Sequence, residues 1–136
     1  MSFLLDTNVV SELRKKSPDP GVVDWVKSMK SAQLYLSVLV VGEIKYGVER
    51  LATRDPRRAA AIDVWRERLV RSYSDRIVPV SLEVAEVWGR LNAGARLPLA
   101  DGLMAATALV YDWTFVTRNA ADVERTGARL LNPFGN

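Results

Sequence analysis

Short apolar runs alternate with longer stretches of helical periodicity along this chain of 136 residues. The short runs end at small polar residues, as buried strands do, and the longer stretches carry apolar side chains at three- and four-residue spacing, as amphipathic helices do. The predicted strands cover residues 3–5, 34–36, 76–80, 114–117 and 128–131, and the predicted helices cover residues 9–16, 21–30, 39–51, 56–72, 82–95, 99–111 and 121–126.

Strands that alternate with helices predict an α/β fold with a central parallel β-sheet of about five strands, flanked by α-helices on both faces. The length suits one domain, which we expect to cover residues 1–136. The N-terminus lacks the basic region of a signal peptide, and no apolar run approaches the ~20 residues of a membrane-spanning helix. We therefore expect a cytoplasmic protein with no membrane association.

The chain contains neither Cys nor His. This composition excludes disulfides, thiolate nucleophiles, Ser-His triads and metal sites built from Cys or imidazole. Any enzymatic chemistry must use carboxylates, hydroxyls, amides, Lys or Arg, or a bound ion or cofactor, and a metal would take oxygen ligands, as Mg²⁺, Mn²⁺ and Ca²⁺ do. The net charge of +3 is only weak evidence for a phosphate-bearing partner.

Four acids fall where the predicted sheet should bind a ligand, beyond the carboxyl ends of its strands. Asp6 follows the first strand directly, and Glu43 lies in the first turns of the helix after the second strand. Asp101 begins the apolar helix 99–111, and Asp122 opens the short helix after the fourth strand. We interpret these four residues as candidate catalytic and metal-binding carboxylates.

Each acid also has a purely structural interpretation. Asp6 could cap the helix that follows it, and Asp122 could form a capping box with Asn119, which is the better interpretation of that residue taken alone. Asp101 is either an N-cap or faces a polar cavity, and the cavity is favoured because the helix around it is apolar. The apolar spacing places Glu43 on a helix face that should be buried, where a carboxylate needs a partner.

Carboxylates gathered at one sheet edge would repel each other by roughly a few kcal/mol per close pair unless a proton or a cation lay between them. Because these motifs contain no His or Cys, Mg²⁺ or Mn²⁺ is the natural counter-charge, and such ions commonly promote attack of water on a phosphodiester. Polar residues beside the acids could orient ligands or bind substrate. They are Thr7, Asn8, Ser37, Thr117, Arg118 and Asn119.

Six sequence blocks occur in order along the chain. They are LLDTNVVSEL from Leu4, SVLVVGEIKYG from Ser37, WGRL from Trp88, DGLMAATA from Asp101, VTRNAAD from Val116 and LNP from Leu131. In this order and spacing the blocks resemble the PIN-domain family, and in particular the VapC-like and FitB-like toxins of bacterial type II toxin–antitoxin modules. The resemblance covers residues 3–134, essentially the whole chain.

The resemblance implies a PIN fold and an endoribonuclease that depends on Mg²⁺ or Mn²⁺. It also implies a homodimer whose cognate antitoxin blocks the acidic site and attaches the complex to operator DNA. Asp6, Glu43 and Asp101 match the three best-defined acids of the family, and Asp6 and Asp101 match its usual metal ligands. Asp122 matches a fourth, less uniform acid, and Asn119 stands where some branches of the family carry one.

Two other interpretations remain open at this point. A catalytically silent PIN-like domain could bind proteins or nucleic acids through the same surface. A Mg²⁺-dependent phosphoacceptor-Asp domain also combines acids with a sheet edge, but Asn8 occupies the place where the phosphatase pattern requires a second Asp. The arginines of helix 56–72 could line an approach for RNA, although a solvated helix face is the better interpretation of them.

Overall fold

A five-stranded sheet forms the centre of the computed structural model, which describes residues 1–135. Its strands are β1 (Phe3–Leu5), β2 (Leu34–Ser37), β3 (Ile77–Val78), β4 (Thr114–Val116) and β5 (Arg129–Leu131). They lie in the order β3-β2-β1-β4-β5, and every neighbouring pair is parallel. The predicted parallel α/β sheet is therefore confirmed.

Helices connect the consecutive strands. Between β1 and β2 lie α1 (Thr7–Glu12) and α2 (Pro20–Ser28), between β2 and β3 lie α3 (Val38–Ala52) and α4 (Pro56–Ser72), and between β3 and β4 lie α5 (Leu82–Gly94) and α6 (Leu99–Tyr111). Two 3₁₀ helices, Ser31–Gln33 and Ala120–Thr126, precede β2 and β5. Because crossovers between parallel strands are right-handed, α1 to α4 cover one face of the sheet and α5 and α6 cover the other.

The chain reverses its direction across the sheet between β1 and β4. The first two crossovers step outward from β1 to β2 and β3, and the third returns past β1 to β4. In open α/β sheets, ligands bind at such a reversal, outside the carboxyl ends of the two strands. Asp6 directly follows β1 and Thr117 directly follows β4, so both lie at this position.

Side-chain caps fix where most of the helices begin. A cap of this kind stabilises a helix by about 1 kcal/mol, because it satisfies a backbone N–H that the helix leaves unpaired. The caps of α1 to α5 are, in order, Asp6, Asp19, Ser37, Asp55 and Ser81. The predicted cap at Ser81 is confirmed, since its hydroxyl accepts a hydrogen bond from the N–H of Val84 at 3.1 Å.

Most predicted elements differ from the observed ones by one or two residues at an end, and two differ more. The helix predicted over 9–16 begins two residues earlier, because Asp6 caps it, and ends at Glu12. The strand predicted over 76–80 shortens to Ile77–Val78, because its partner β2 ends at Ser37, which pairs with Val78. The next residue, Pro79, has no N–H with which to continue a ladder.

The apolar helix predicted over 99–111 is α6, and it lies in the core. Gly102 and all five residues from 104 to 108 are buried there. The strands supply further large side chains that are fully buried, including Leu4, Leu36 and Phe115. Within residues 1–135, no helix combines the length and the apolar character that a membrane crossing requires.

Candidate active site

Asp6 lies at the point where the chain reverses across the sheet, and only 4% of its surface is exposed. Its Oδ1 accepts a hydrogen bond from the backbone N–H of Thr7 at 2.7 Å, so the capping interpretation of Asp6 is confirmed. Its Oδ2 accepts a hydrogen bond from Thr117 Oγ1, also at 2.7 Å. The second bond joins the carboxyl ends of β1 and β4 and holds the carboxylate between them.

A further set of hydrogen bonds restrains this pair. Asn8 Nδ2 lies 3.3 Å from Asp6 Oδ2 and 3.4 Å from Thr117 Oγ1. The backbone N–H of Asn119 donates to Thr117 Oγ1 at 3.1 Å, and that of Arg118 donates to Asn8 Oδ1 at 3.2 Å. Asn8 and Thr117 therefore orient Asp6 with their side chains, whereas Arg118 and Asn119 act through the backbone.

Glu43 joins the site through Thr7, whose hydroxyl donates to Glu43 Oε1 at 2.5 Å. The prediction that Glu43 lies on a buried face is wrong, because the side chain is exposed. Helix α3 buries a narrower stripe, made of Val40, Ile44 and Val48, and Glu43 flanks that stripe. The hydrogen bond from Thr7, at the start of α1, supplies the partner that the carboxylate needs.

Asp101 lies half-buried in the first turn of α6. The N-cap position of this helix is held by Pro98, which makes no side-chain cap, so the capping alternative for Asp101 is wrong. That Asp101 faces a polar cavity stays a prediction. A carboxylate in the first turn also benefits from the positive end of the helix dipole.

Asp122 is exposed in the first turn of the second 3₁₀ helix. The capping box predicted for Asn119 and Asp122 is wrong, because the Asn119 side chain makes no capping hydrogen bond. The N–H of Asn119, which such a box would bind, donates instead to Thr117 Oγ1. The Asp122 carboxylate therefore does not cap this helix.

Burial and mutual repulsion raise the pKa of both Asp6 and Asp101, and burial is the largest cause in each case. For Asp6, hydrogen bonds from two threonines oppose the shift, and the charges of Asp101 and Glu43 add to it. For Asp101, the charges of Glu43 and Asp122 add to the effect of burial. The four carboxylates thus act on one another at the same edge of the sheet.

No lysine or arginine among residues 1–135 forms an ion pair with any of these four acids. The four carboxylates offer a metal ion hard oxygen ligands, which suit Mg²⁺ or Mn²⁺. Within the same part of the chain, no group of three or more carboxylates is already arranged to hold a metal ion. Because Mg²⁺ is usually bound through one or two carboxylates and keeps several waters, the donor set fits it without such a cage.

Two of the residues predicted to flank the acids direct their side chains elsewhere. The Ser37 hydroxyl is buried and accepts a hydrogen bond from the N–H of Leu39 at 3.1 Å, which caps α3. The Arg118 guanidinium lies over the ring of Phe134, 4.6 Å from its centroid. Ser37 therefore positions the helix that carries Glu43, and Arg118 is held at the rim of the site.

One structural contact beside the site had no role in the sequence analysis. A Cβ atom added to Gly102 would lie 2.9 Å from Cδ1 and 3.0 Å from Nε1 of Trp88, so α5 and α6 approach closely here. The buried Nε1 of Trp88 has no hydrogen-bond partner among residues 1–135. The signal in the sequence was the glycine directly after Asp101. Only the packing of α5 against α6 shows that a larger residue would collide with Trp88 at this position.

Comparison with known proteins identifies the family of this chain. The model of the PIN domain family matches residues 3–128. The VapC ribonuclease Y4jK of Sinorhizobium fredii is 30% identical, and the alignment covers 97% of this chain and 97% of that protein. The toxin FitB of Neisseria gonorrhoeae is 31% identical, and the alignment covers 97% of this chain and 98% of that protein. The solved structure of FitAB bound to an IR36 DNA fragment superposes with a TM-score of 0.87 at 29% identity, over 96% of this chain and 94% of that one. The chain therefore belongs to the PIN domain family.

Proposed function

We propose that this protein is a metal-dependent endoribonuclease that acts as the toxin of a type II toxin–antitoxin module. The observation that carries the proposal is the environment of Asp6. Its carboxylate is buried and held by Thr7 and Thr117 at the reversal of the sheet. Burial, together with the charges of Asp101 and Glu43, raises its pKa, and no lysine or arginine among residues 1–135 pairs with it. Such a site favours a bound divalent cation and the chemistry of phosphodiesters.

The residues of the site would divide the work. Asp6 and Asp101 would hold Mg²⁺ or Mn²⁺, Glu43 would bind it directly or through water, and Asp122 would complete the set. When bound, the ion supplies positive charge that stabilises the charge developing on the phosphate. Asn8 and Thr117 keep the Asp6 carboxylate in one orientation, and positional restraint of this kind is what catalysis requires of a site.

The named relatives support the substrate class and the partner. A relative of 30% identity is named a ribonuclease, and another of 31% identity is named a toxin. The FitAB structure, at 29% identity, is a complex bound to DNA. We infer that this chain likewise cuts RNA and pairs with a cognate antitoxin, forms a homodimer, contacts operator DNA through the antitoxin, and acts in the cytoplasm.

The test is an RNA cleavage assay on purified protein. Structured RNA should be cut in the presence of Mg²⁺ or Mn²⁺, and EDTA should stop the reaction until the metal is restored. Expression of the gene alone should halt growth, and co-expression of its antitoxin should restore growth. Undiminished cleavage by an Asp6→Asn variant would overturn the assignment of the site.

A catalytically silent PIN-like domain remains the second candidate function. It is favoured by the fact that the acids of residues 1–135 are not already grouped around a metal position. The same assay separates the two candidates, since a silent domain would bind RNA or protein and leave RNA intact under every metal condition.

A further inference from the structure

A groove between α1, α3 and α4 opens beside the candidate active site, and Thr7 and Glu43 belong to both. Its volume is about 330 Å³. This lies at the lower end of the range for small-molecule pockets, so the groove suits a single nucleotide-sized group. We call it the basic groove because of the charges described below.

One part of the basic groove is apolar. Ile44, Val48 and Leu51 of α3 line it together with Ile62 and the half-buried Trp65 of α4. An indole at the wall of a nucleotide-sized groove offers a stacking surface for a base, and stacking of this kind accepts any base.

The other part of the basic groove carries three guanidinium groups, those of Arg14, Arg54 and Arg58. None of the three forms an ion pair with an acid of residues 1–135, whereas Arg66 and Arg129 each do. The Arg14 guanidinium lies 5.9 Å from the ring centroid of Trp65. Unpaired arginines around an aromatic ring match a ligand that combines phosphates with bases.

The positive charge continues beyond the basic groove. A neighbouring depression is lined by Arg14, Lys15, Lys16 and Arg58, so two arginines belong to both cavities. Lys15 is paired with Glu12 at 2.8 Å, so the positive charge that continues beyond the groove is that of Arg14, Lys16 and Arg58. This continuity favours an extended nucleic-acid strand over a short acidic segment of a protein.

We propose that the basic groove holds the nucleotide adjacent to the scissile phosphate of an RNA strand. A base stacks on Trp65, and neighbouring phosphates contact Arg14 and Arg58. The inference rests on the proposed ribonuclease function and adds to it the path that the strand follows away from the carboxylates.

Binding of a 12-nucleotide single-stranded RNA to the full chain, followed by fluorescence anisotropy in EDTA, tests this path without cleavage. The double variant Arg14→Gln/Arg58→Gln should bind about tenfold more weakly, and the slope of log Kd against log salt should fall by about 1.4, or ~0.7 for each lost phosphate contact. Trp65→Leu should weaken binding roughly tenfold and leave the slope unchanged, because stacking releases no counterions.

Arg68→Gln and Arg71→Gln are the matched controls, since both residues are exposed on α4 outside the groove. They should retain the affinity and the salt slope of the wild type. Circular dichroism checks that each variant is folded.

The proposal is overturned if the Arg14/Arg58 variant keeps the wild-type affinity and salt slope, even when the wild type cuts RNA normally. It is also overturned if that variant loses affinity for a 12-residue polyglutamate peptide while its RNA binding is unchanged, since the groove would then serve a protein partner. Failure of the ribonuclease function itself has a different signature, which is intact RNA after incubation of the wild type with Mg²⁺ or Mn²⁺.

Discussion

Acidic side chains occupy two opposite environments in this molecule. At the carboxyl edge of the sheet, Asp6 is buried, Asp101 is half-buried, both lie near other acids, and the pKa of each is raised. Glu12, at the end of α1, instead lies 2.8 Å from Lys15 Nζ, and the hydrogen bond from that lysine is the main cause of its lowered pKa.

Asp63, in the middle of α4, belongs with Glu12. Its Oδ1 lies 2.7 Å from Arg66 Nε and 3.2 Å from Lys45 Nζ, and the hydrogen bond from Arg66 is the main cause of its lowered pKa. Lysine or arginine side chains therefore pair with Glu12 and Asp63, whereas none among residues 1–135 pairs with the four acids at the sheet edge. This difference supports the proposal that a cation binds at the edge of the sheet.

The largest expected effect is a difference in the rate of RNA cleavage between variants of the unpaired and the paired acids. Asp101→Asn should lower the rate of RNA cleavage at least about 100-fold, because even the residues that merely support metal ligands commonly contribute 10- to 100-fold. Asp63→Asn, which removes a paired acid, should leave the rate within about twofold. The measurement is the initial rate of cleavage at saturating Mg²⁺ or Mn²⁺, and equal losses in the two variants would contradict the distinction.

The second prediction concerns how the unpaired acids are held in place. Paired acids are fixed by their cations, whereas Asp101 precedes Gly102, which packs closely against Trp88. Gly102→Ala should lower the free energy of unfolding by about 1–3 kcal/mol, since the new methyl group overlaps the indole. Urea denaturation measures this change.

Gly89→Ala is the matched control for that substitution. Gly89 lies in α5 beside Trp88, but a Cβ atom there would meet nothing within 4 Å. Replacing a helical glycine by alanine should therefore leave the stability unchanged or raise it by up to about 1 kcal/mol. A loss in both variants would show that glycine is needed at these positions for a reason other than space.

The contrast also explains which features could be predicted from the sequence. Apolar runs and capping residues are local signals, so the succession of helices and strands along the chain, the cap at Ser81 and the buried α6 were predicted correctly. The length of β3 depends on where its partner β2 ends, at Ser37, which is information from another part of the chain. Periodicity alone therefore predicted that strand too long.

The candidate site shows the same limit. The four acids could be found because each follows a strand or opens a helix near the expected sheet edge. Periodicity predicted a buried Glu43, and only the contact with Thr7, 36 positions away in sequence, shows how an exposed carboxylate is held. The capping box at Asn119 was wrong for a related reason, because Thr117 takes the N–H that the box requires.

A third prediction is that neutralising an acid changes the free energy of unfolding in opposite directions in the two classes. In EDTA, Asp6→Asn should raise the free energy of unfolding by about 1 kcal/mol, a common gain when an unfavourable functional group is removed. Asparagine caps a helix as well as aspartate does, so the start of α1 is preserved. Glu12→Gln should lower the stability, because Lys15 loses its partner.

Thermal melting with and without Mn²⁺ provides a readout of this prediction that is independent of activity. Added Mn²⁺ should raise the melting temperature of the wild type, since a ligand that binds only the native state stabilises it, and it should have little effect on Asp6→Asn. A gain of equal size in both proteins would place the metal elsewhere.

The smallest expected effect is the pH dependence of these differences in metal-free protein. The pKa of Asp6 is raised above its ordinary value of 3.8, so the native state binds more protons than the unfolded state between the two values. The unfavourable contribution of Asp6 is therefore absent below about pH 3.8 and grows as the pH rises through the raised pKa. Asp63 has the opposite sign: its lowered pKa contributes stability above pH 3.8, and that stability is lost as the pH falls.

Urea denaturation between pH 3 and 8 should thus show that the advantage of Asp6→Asn over wild type vanishes toward low pH, and that the disadvantage of Asp63→Asn vanishes there as well. If the Asp6→Asn advantage instead persisted at the lowest pH, it would come from packing, and the raised pKa would not be the reason that the site favours a cation.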